Sequence, residues 1–198
     1  FLAQGGICVQ KNDADYDSFY EDTMRAGHYE NSPGSVDLMI RDSRSVINEL
    51  IGYGVEFEKD SNGLSFTREG AHSTNRILYH DDITGQEITS KLLLQVQSKR
   101  NVTLMTSTAM VDILCRDGAC DGILVSDSDH CLHPVFADNV MWACGGIGGI
   151  YSSSTNFPHL TGDALALSLK HGIKLKNINY IQIHPTTLFS EKKERRFL

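Results

Sequence analysis

A short polar segment, residues 66–73, carries the side chains best suited to chemistry. It reads Phe-Thr-Arg-Glu-Gly-Ala-His-Ser, which sets a cation, a carboxylate, an imidazole and a hydroxyl around Gly70. Polar groups of both signs are costly to bury, so the segment is predicted to face solvent or a ligand. Gly70 is predicted to supply a backbone angle that residues with side chains avoid. The functional interpretation is a substrate-facing loop in which Glu69 binds a cationic group, and the alternative is an ordinary solvated connection.

Two glycine-bearing segments could bring backbone close to a ligand. The first is Ala-Gln-Gly-Gly at residues 3–6, for which a plain turn is the alternative. The second, Gly-Gly-Ile-Gly-Gly at residues 145–149, follows an apolar run over 139–144 that is typical of a strand buried on both faces. The dinucleotide fingerprint fails because Tyr151 occupies the third glycine position. The run is therefore predicted to be a strand end that passes close to a flat cofactor.

Two further polar positions follow predicted elements near the C-terminal end of the sequence. Residues 161–163 are predicted to cap a buried helix over 164–171, whose N-terminus could bind a pyrophosphate or a ribityl chain. Asp163 would then accept hydrogen bonds from hydroxyl groups, or would be a simple cap. A predicted strand over 178–183 ends at His184, which could bind a carboxylate or be only a loop residue.

The remaining pattern predicts the elements that must position these residues. Three helices and a β-meander are predicted, over residues 13–27, 33–53, 84–99 and about 102–137. Pro33 favours the first helical position of the second helix, and Gly54 favours its end. The Asp117-Gly118 pair is typical of a hairpin turn within the meander.

Composition limits the classes of function. The chain has 198 residues, 40% hydrophobic and 22% charged, with a net charge of −7. This is globular composition, and the negative charge disfavours nucleic-acid binding. No apolar run has membrane-spanning length and no signal peptide is evident, so no membrane partner is expected. The lack of a disulfide framework among the cysteines favours a cytoplasmic location. The sequence does not begin with Met, which suggests a fragment or a processed chain.

The five cysteines do not form a recognisable framework. Their number is odd and no C-x-x-C pair occurs, so most are predicted to be buried as small apolar residues. His130 and His133 flank Cys131, but a metal needs further ligands at fixed geometry and none is evident. No metal site is therefore predicted.

These segments, in this order, resemble the L-aspartate oxidases of the fumarate reductase and succinate dehydrogenase flavoprotein superfamily. The matching motifs are Ala-Gln-Gly-Gly-Ile at residues 3–7, Thr-Arg-Glu-Gly-Ala-His-Ser at 67–73, Ala-Cys-Gly-Gly at 143–146, Thr-Gly-Asp at 161–163 and Gln-Ile-His-Pro-Thr at 182–186. Cys144 departs from the usual Thr of the family. The resemblance covers essentially the whole chain but only a middle part of the family's length.

The resemblance implies an α/β fold and FAD as the cofactor. Residues 1–198 would be the middle part of a Rossmann-like FAD-binding domain with an inserted β-meander. The N-terminal glycine fingerprint and the capping domain with its catalytic arginine would lie outside the chain. The residues it implies at the cofactor are Phe1, Leu2, Ala3, Gln4, Gly5, Gly6, Met110, Val111, Ala143, Gly145, Gly146 and Asp163.

The resemblance also implies a reaction. A hydride would pass from Cα of L-aspartate to the flavin, giving iminoaspartate, and dioxygen or fumarate would reoxidise the flavin. The product would feed quinolinate and NAD synthesis, which makes a quinolinate synthase an expected partner. Glu69 would bind the substrate ammonium group and His184 a substrate carboxylate, both as catalytic residues. The other residues implied at the substrate are His72, Ser73 and Thr186.

Two alternatives remain open at this point. A fumarate reductase or succinate dehydrogenase flavoprotein shares most of these motifs, although a substrate without an amine gains nothing from the charge of Glu69. A non-catalytic fragment that acts only as a binding module is the other. The colour of the protein and the attachment of its flavin would separate these readings.

Overall fold

The computed structural model describes residues 3–183, which form two compact units divided in sequence between Leu104 and Met105. The helices of the first unit are Tyr16–Ala26 (α1), Pro33–Gly52 (α2) and Thr84–Gln97 (α3). Its strands are Ile7–Cys8 (β1), Lys59–Asp60 (β2), Gly63–Leu64 (β3) and Ile77–Leu78 (β4). The second unit contains strands Ala109–Arg116 (β5), Ala119–Ser126 (β6) and Leu132–Phe136 (β7), and helix Asp163–Lys170 (α4). Short 3-10 turns occupy Asp13–Asp15 and Gly148–Ile150.

Helix α2 begins and ends where the sequence predicts. Pro33 occupies its first position, and Gly54 takes a left-handed backbone with φ of 92° just beyond its end. Val36, Ile40 and Ile47 are buried along one face, as the apolar spacing predicts. The edges of that face are open to solvent, because other apolar positions of the same stripe, such as Met39, are exposed.

Two apolar clusters hold the first unit together. One combines α2 with the short strands and consists of Val9, Ile47, Leu50, Val55, Phe57 and Leu78. The other joins α1 to α2 through Phe19, Met24, Val36 and Ile40. Strands β1 and β4 pair antiparallel, with Ile7 opposite Leu78. Strand β4 is therefore close both to the first glycine segment, which leads into β1, and to the polar segment, which precedes β4 in sequence.

The β-meander of the second unit has the strand order β5–β6–β7, and all pairs are antiparallel. Asp117 and Gly118 both have positive φ, 51° and 80°, as a two-residue hairpin turn requires. The left-handed backbone angles of this turn are therefore encoded locally. Register shifts at Met110/Asp112 and Leu114/Cys115 bend β5.

Two predicted strands are absent from the described residues. Neither 139–144 nor 178–183 is a strand, and the latter contains a turn in which the Tyr180 N–H bonds the Asn177 carbonyl at 3.0 Å. A strand needs a neighbour to accept its backbone hydrogen bonds, and within residues 3–183 no strand pairs with either segment. An apolar run alone does not supply that neighbour.

Two burial predictions were also wrong. Helix α4 is not buried all round, because Leu167 is buried while Leu169 is 66% exposed. Four cysteines are exposed and only Cys8 is partly buried. These four lie on the β-meander or directly before the second glycine segment.

Within residues 3–183, no helix combines the length and the apolar character that crossing a bilayer requires.

Candidate functional site

The first glycine segment and the polar segment meet at Glu69. The backbone N–H of Gly6 donates to Glu69 Oε1 at 2.9 Å, although the two residues are 63 positions apart. A Cβ added at Gly5 would lie 3.5 Å from both carboxylate oxygens. The pairing of β1 with β4, and a bridge between Thr67 and Ile77, make both segments neighbours of β4.

Gly6 cannot carry a side chain where it lies. An added Cβ would collide with the Leu78 carbonyl oxygen and with the Ile77 side chain. The missing side chain therefore lets the backbone approach β4 closely enough for its N–H to reach Glu69. Ala3, Gln4 and Gly5 are exposed, so this backbone is accessible to a ligand.

Helix α3 fixes the other end of the first glycine segment. The Gly85 N–H, in the first turn of α3, donates to the Ala3 carbonyl at 2.9 Å. A Cβ added at Gly85 would lie 2.7 Å from the Ala3 Cβ and 2.8 Å from its carbonyl oxygen. The position of Ala3 thus depends on Gly85 having no side chain.

The polar segment is exposed at residues 68–71, as its composition predicts. The left-handed residue is Ala71, with φ of 70°, and not Gly70 as expected. A Cβ added at Gly70 would meet nothing within 4 Å, so this glycine is required neither for close packing nor for a left-handed angle. The His72 N–H donates to the Glu69 carbonyl at 3.3 Å across this turn.

His72 and Ser73 turn toward the protein. The Ser73 N–H and Oγ donate to Asp22 Oδ2 at 2.6 and 2.7 Å. His72 packs edge-on against Phe19, with ring centroids 5.9 Å apart, and its Nδ1 lies 3.1 Å from Arg76 Nη1. Arginine only donates, so Nδ1 accepts and the imidazole proton lies on Nε2.

Arg76 is the centre of a buried ionic network that sequence reasoning missed. Its side chain is 0% exposed and pairs with Asp15 at 2.9 Å and with Asp22 at 2.6 Å. The guanidinium also donates to Ser18 Oγ at 2.8 Å and lies 4.8 Å from the centre of the Phe19 ring. A signal existed, since acids at positions 15 and 22 share a helix face with the buried Phe19, and a buried acid requires a partner.

The network shifts the titration of its members. Burial alone would raise the pKa of Asp22, but the Ser73 N–H and Arg76 outweigh it and lower that pKa below its ordinary 3.8. Burial also raises the pKa of Asp15, but hydrogen bonds from Arg76 outweigh burial, so that pKa is lowered overall. Burial, and then the positive charge of Arg76, lower the pKa of His72. At neutral pH we therefore assign two carboxylates, one guanidinium and a neutral imidazole.

We predict that acid removes the stability contributed by this network. A carboxyl group with a lowered folded pKa stabilises the fold above its unfolded value, near 3.8, and that contribution is lost as the pH falls through the lower folded value. Urea unfolding midpoints measured between about pH 5 and about pH 2 should therefore decline. The decline should be shallower in Asp22→Asn, and equal slopes in the two proteins would contradict the assignment.

The second glycine segment packs against the start of α4. The Gly149 N–H donates to the Leu160 carbonyl at 2.8 Å, and a Cβ added at Gly162 would lie 3.1 Å from Cγ1 of Ile147. Gly145 takes a left-handed backbone with φ of 76°, and a Cβ added at Gly146 would meet nothing within 4 Å. The second glycine segment and the residues that lead into α4, both predicted to lie at the cofactor, are therefore in contact within the second unit.

The N-terminus of α4 carries no side-chain cap in the described structure. Gly162 is the N-cap residue, with φ of 79°, and lies within the predicted capping segment 161–163. Asp163 is exposed and its Oδ1 accepts from the Thr161 hydroxyl at 2.7 Å. The Leu165 and Ala166 N–H groups donate to the Gly162 carbonyl, which leaves the N–H groups of Asp163 and Ala164 to face an anion or polar oxygen atoms.

The other predicted site residues divide into described and undescribed ones. Met110 and Val111 lie on β5, half-buried and exposed respectively, and Ala143 is exposed before the second glycine segment. The predictions on Phe1, Leu2, His184 and Thr186 lie outside the described residues.

The His133 side chain, which flanks Cys131 in the sequence, forms a 2.7 Å hydrogen bond with Asp127 at the turn between β6 and β7.

A comparison with models of protein families shows which family this chain belongs to. A family model described as an FAD binding domain matches residues 1–198. The chain belongs to the FAD binding domain family. The predicted fold class, a partial FAD-binding domain, is confirmed, and FAD is the cofactor that the family implies.

Curated proteins that are similar to this chain are named L-aspartate oxidase. The protein from Clostridium perfringens is 46% identical over 100% of the chain, which covers 45% of the relative. The protein from Clostridium acetobutylicum is 38% identical, again over 100% of the chain and 46% of the relative. The chain thus spans about half the length of these relatives. The predicted resemblance to this enzyme family is confirmed.

A solved structure extends the similarity to the superfamily. A variant of Escherichia coli quinol fumarate reductase FrdA has a TM-score of 0.88 at 25% identity, over 94% of this chain and 32% of that one. Together the comparisons support a flavin-dependent oxidoreductase.

The residues of this FAD-binding domain fit the groups that FAD presents. FAD carries a pyrophosphate, a hydroxyl-bearing ribityl chain and a flat ring system. The uncapped first turn of α4 offers N–H groups to phosphate or hydroxyl oxygens. In the first unit, the exposed segment Ala3–Gly5 leaves room for close approach of a flat group. In the second unit, the open space at Gly146 would separately allow a ligand to approach the backbone.

Proposed function

We propose that the whole protein is an L-aspartate oxidase, which oxidises L-aspartate to iminoaspartate. The observation that carries the proposal is the exposed carboxylate of Glu69 held against the Gly6 backbone of the first glycine segment. A carboxylate in that position suits a substrate with an ammonium group. The names of the relatives support the same substrate.

The chemistry is divided between the cofactor and the protein. When bound, FAD supplies a two-electron acceptor for the hydride from Cα, and dioxygen or fumarate would restore the oxidised form. Glu69 would bind and orient the substrate ammonium group. A charge-assisted hydrogen bond of this kind contributes about 1.5–3 kcal/mol, which corresponds to about ten- to hundredfold discrimination.

Other residues of the chain would complete the site. His184 is proposed to donate to a substrate carboxylate, with Thr186 beside it. Ala3–Gly6, Gly145, Gly146 and Asp163 are proposed to contact FAD. Iminoaspartate would then be consumed in quinolinate formation, as the first step of NAD synthesis, with quinolinate synthase as the proposed partner.

The full-length protein allows a direct test. We expect it to purify with a flavin absorption band that L-aspartate bleaches under anaerobic conditions, whereas succinate leaves the band unchanged. Acid precipitation should release the flavin into the supernatant. Bleaching by succinate together with flavin retained in the precipitate would instead favour a succinate dehydrogenase or fumarate reductase flavoprotein.

We predict that Gly85→Ala weakens FAD binding about tenfold, since the added Cβ would push Ala3 and the segment beyond it out of place. The dissociation constant can be measured by flavin fluorescence quenching on the full-length apoprotein. Gly34→Ala is the matched control, because Gly34 is the second residue of α2 as Gly85 is of α3, and its added Cβ meets nothing within 4 Å. Equal dissociation constants in the two variants would contradict a cofactor role for Ala3–Gly6.

A further inference from the structure

The chain between Thr67 and Ile77 leaves the sheet and returns to it. Its base is closed by two backbone hydrogen bonds between these residues, of 2.9 and 3.0 Å. The Val9 N–H also donates to the Arg76 carbonyl at 2.9 Å, but among the described residues no strand pairing extends into 68–75. The path of this excursion, which carries Glu69, must therefore be fixed by other contacts.

A carboxylate on α1 supplies the main anchor. Asp22 Oδ2 accepts from the Ser73 N–H at 2.6 Å, from Ser73 Oγ at 2.7 Å and from Arg76 Nη1 at 2.6 Å. The Asp22 side chain is 3% exposed, so these bonds are shielded from water on the α1 side, although Ser73 itself is exposed. Ser73 is thereby tied to a rigid helix by both its backbone and its side chain.

The anchor is connected to Glu69 through His72. The His72 N–H donates to the Glu69 carbonyl at 3.3 Å, and the His72 ring accepts from Arg76. At its other end, the Glu69 carboxylate accepts from Gly6. The main chain of Glu69 is therefore held from the α1 side, while its carboxylate is held by the first glycine segment.

We propose that Ser73 is a positioning residue for recognition of the substrate ammonium group, with Asp22 as its anchor and Glu69 as the group it positions. This inference rests on the proposed function. A carboxylate displaced by about 1 Å loses much of its catalytic benefit even when the altered residue does not touch the substrate. The Ser73 hydroxyl would therefore affect a substrate that carries an amine and have little effect on one that does not.

The test uses Ser73→Ala in the full-length protein loaded with FAD. Alanine removes the Oγ donor and keeps the backbone N–H bond to Asp22. We expect kcat/KM for L-aspartate to fall about three- to tenfold, with fumarate reduction changed less than about twofold. Ser73→Thr keeps the hydroxyl and should restore L-aspartate oxidation.

A double-mutant cycle with Glu69→Gln separates positioning from a general structural role. If Ser73 acts through Glu69, Ser73→Ala should have little further effect on L-aspartate oxidation in the Glu69→Gln background. Additive losses, or equal losses with L-aspartate and fumarate, would overturn the inference. If Glu69→Gln alone reduces L-aspartate oxidation and fumarate reduction by the same factor, the proposed ammonium role is wrong and this inference fails with it.

Hydrogen exchange provides a readout that is independent of activity. Amide exchange over residues 68–76, measured without substrate, should be faster in Ser73→Ala than in the wild-type protein and should return to the wild-type rate in Ser73→Thr. Unchanged exchange in Ser73→Ala would show that the hydroxyl does not anchor the segment and would overturn the inference.

Discussion

Replacing Arg76 with methionine is expected to lower the free energy of unfolding by about 3–5 kcal/mol. The guanidinium is 0% exposed, and its partners Asp15 and Asp22 are 5% and 3% exposed. Methionine removes the charge and leaves buried Asp15 without a cation, while Asp22 keeps only the exposed Arg25. Asp15 must then be protonated or hydrated, and either outcome destabilises the folded state. The loss can be measured by urea unfolding of the full-length protein at a fixed FAD concentration.

Arg25→Met is the matched control for this prediction. Arg25 pairs with the same Asp22 at 2.7 Å, but its side chain is 57% exposed. An exposed ion pair contributes only about 0–1 kcal/mol because water and salt screen it. Similar costs for the two substitutions would show that the ionic network around Arg76 is not buried in the whole protein.

The second large effect is expected at Glu69. Glu69→Gln should reduce kcat/KM for L-aspartate by about ten- to hundredfold and should reduce fumarate reduction much less. Glutamine keeps the size of the side chain and an oxygen that accepts from Gly6, so the loop should retain its path. What is lost is the negative charge that would face the ammonium group. Steady-state kinetics with both substrates measure the difference directly.

Glu49→Gln provides the control for net charge. Glu49 is an exposed residue of α2, and the substitution removes the same formal charge outside the polar segment. We expect kinetics like those of the wild-type protein. Equal losses for L-aspartate and fumarate in Glu69→Gln would refute a role in ammonium recognition.

The elements whose signals are local could be predicted from the sequence. Pro33 and Gly54 bound α2, and Asp117 with Gly118 forms the hairpin turn between β5 and β6. These residues act through their own backbone angles, which neighbouring segments do not need to supply. The ordered motifs also identified the family, because each of them is a short contiguous stretch.

Predictions that depended on a partner segment were less secure. The apolar run 139–144 has the composition of a buried strand, yet it is not a strand in the described structure because none lies beside it there. The same limit explains the exposed face of α4, since apolar composition does not specify what will cover a helix. For the polar segment, the sequence indicated Gly70 as the left-handed residue, whereas the structure has that angle at Ala71.

The sequence by itself determined the family, the cofactor class and the residue types available for chemistry, because these are carried by contiguous motifs. Only the tertiary structure decided that Gly6 reaches Glu69 and that Arg76 pairs with two buried acids, Asp15 directly before α1 and Asp22 within it. Those contacts join residues 63, 61 and 54 positions apart. Such pairs have no fixed spacing in sequence, because their geometry comes from how β1, β4 and α1 pack together.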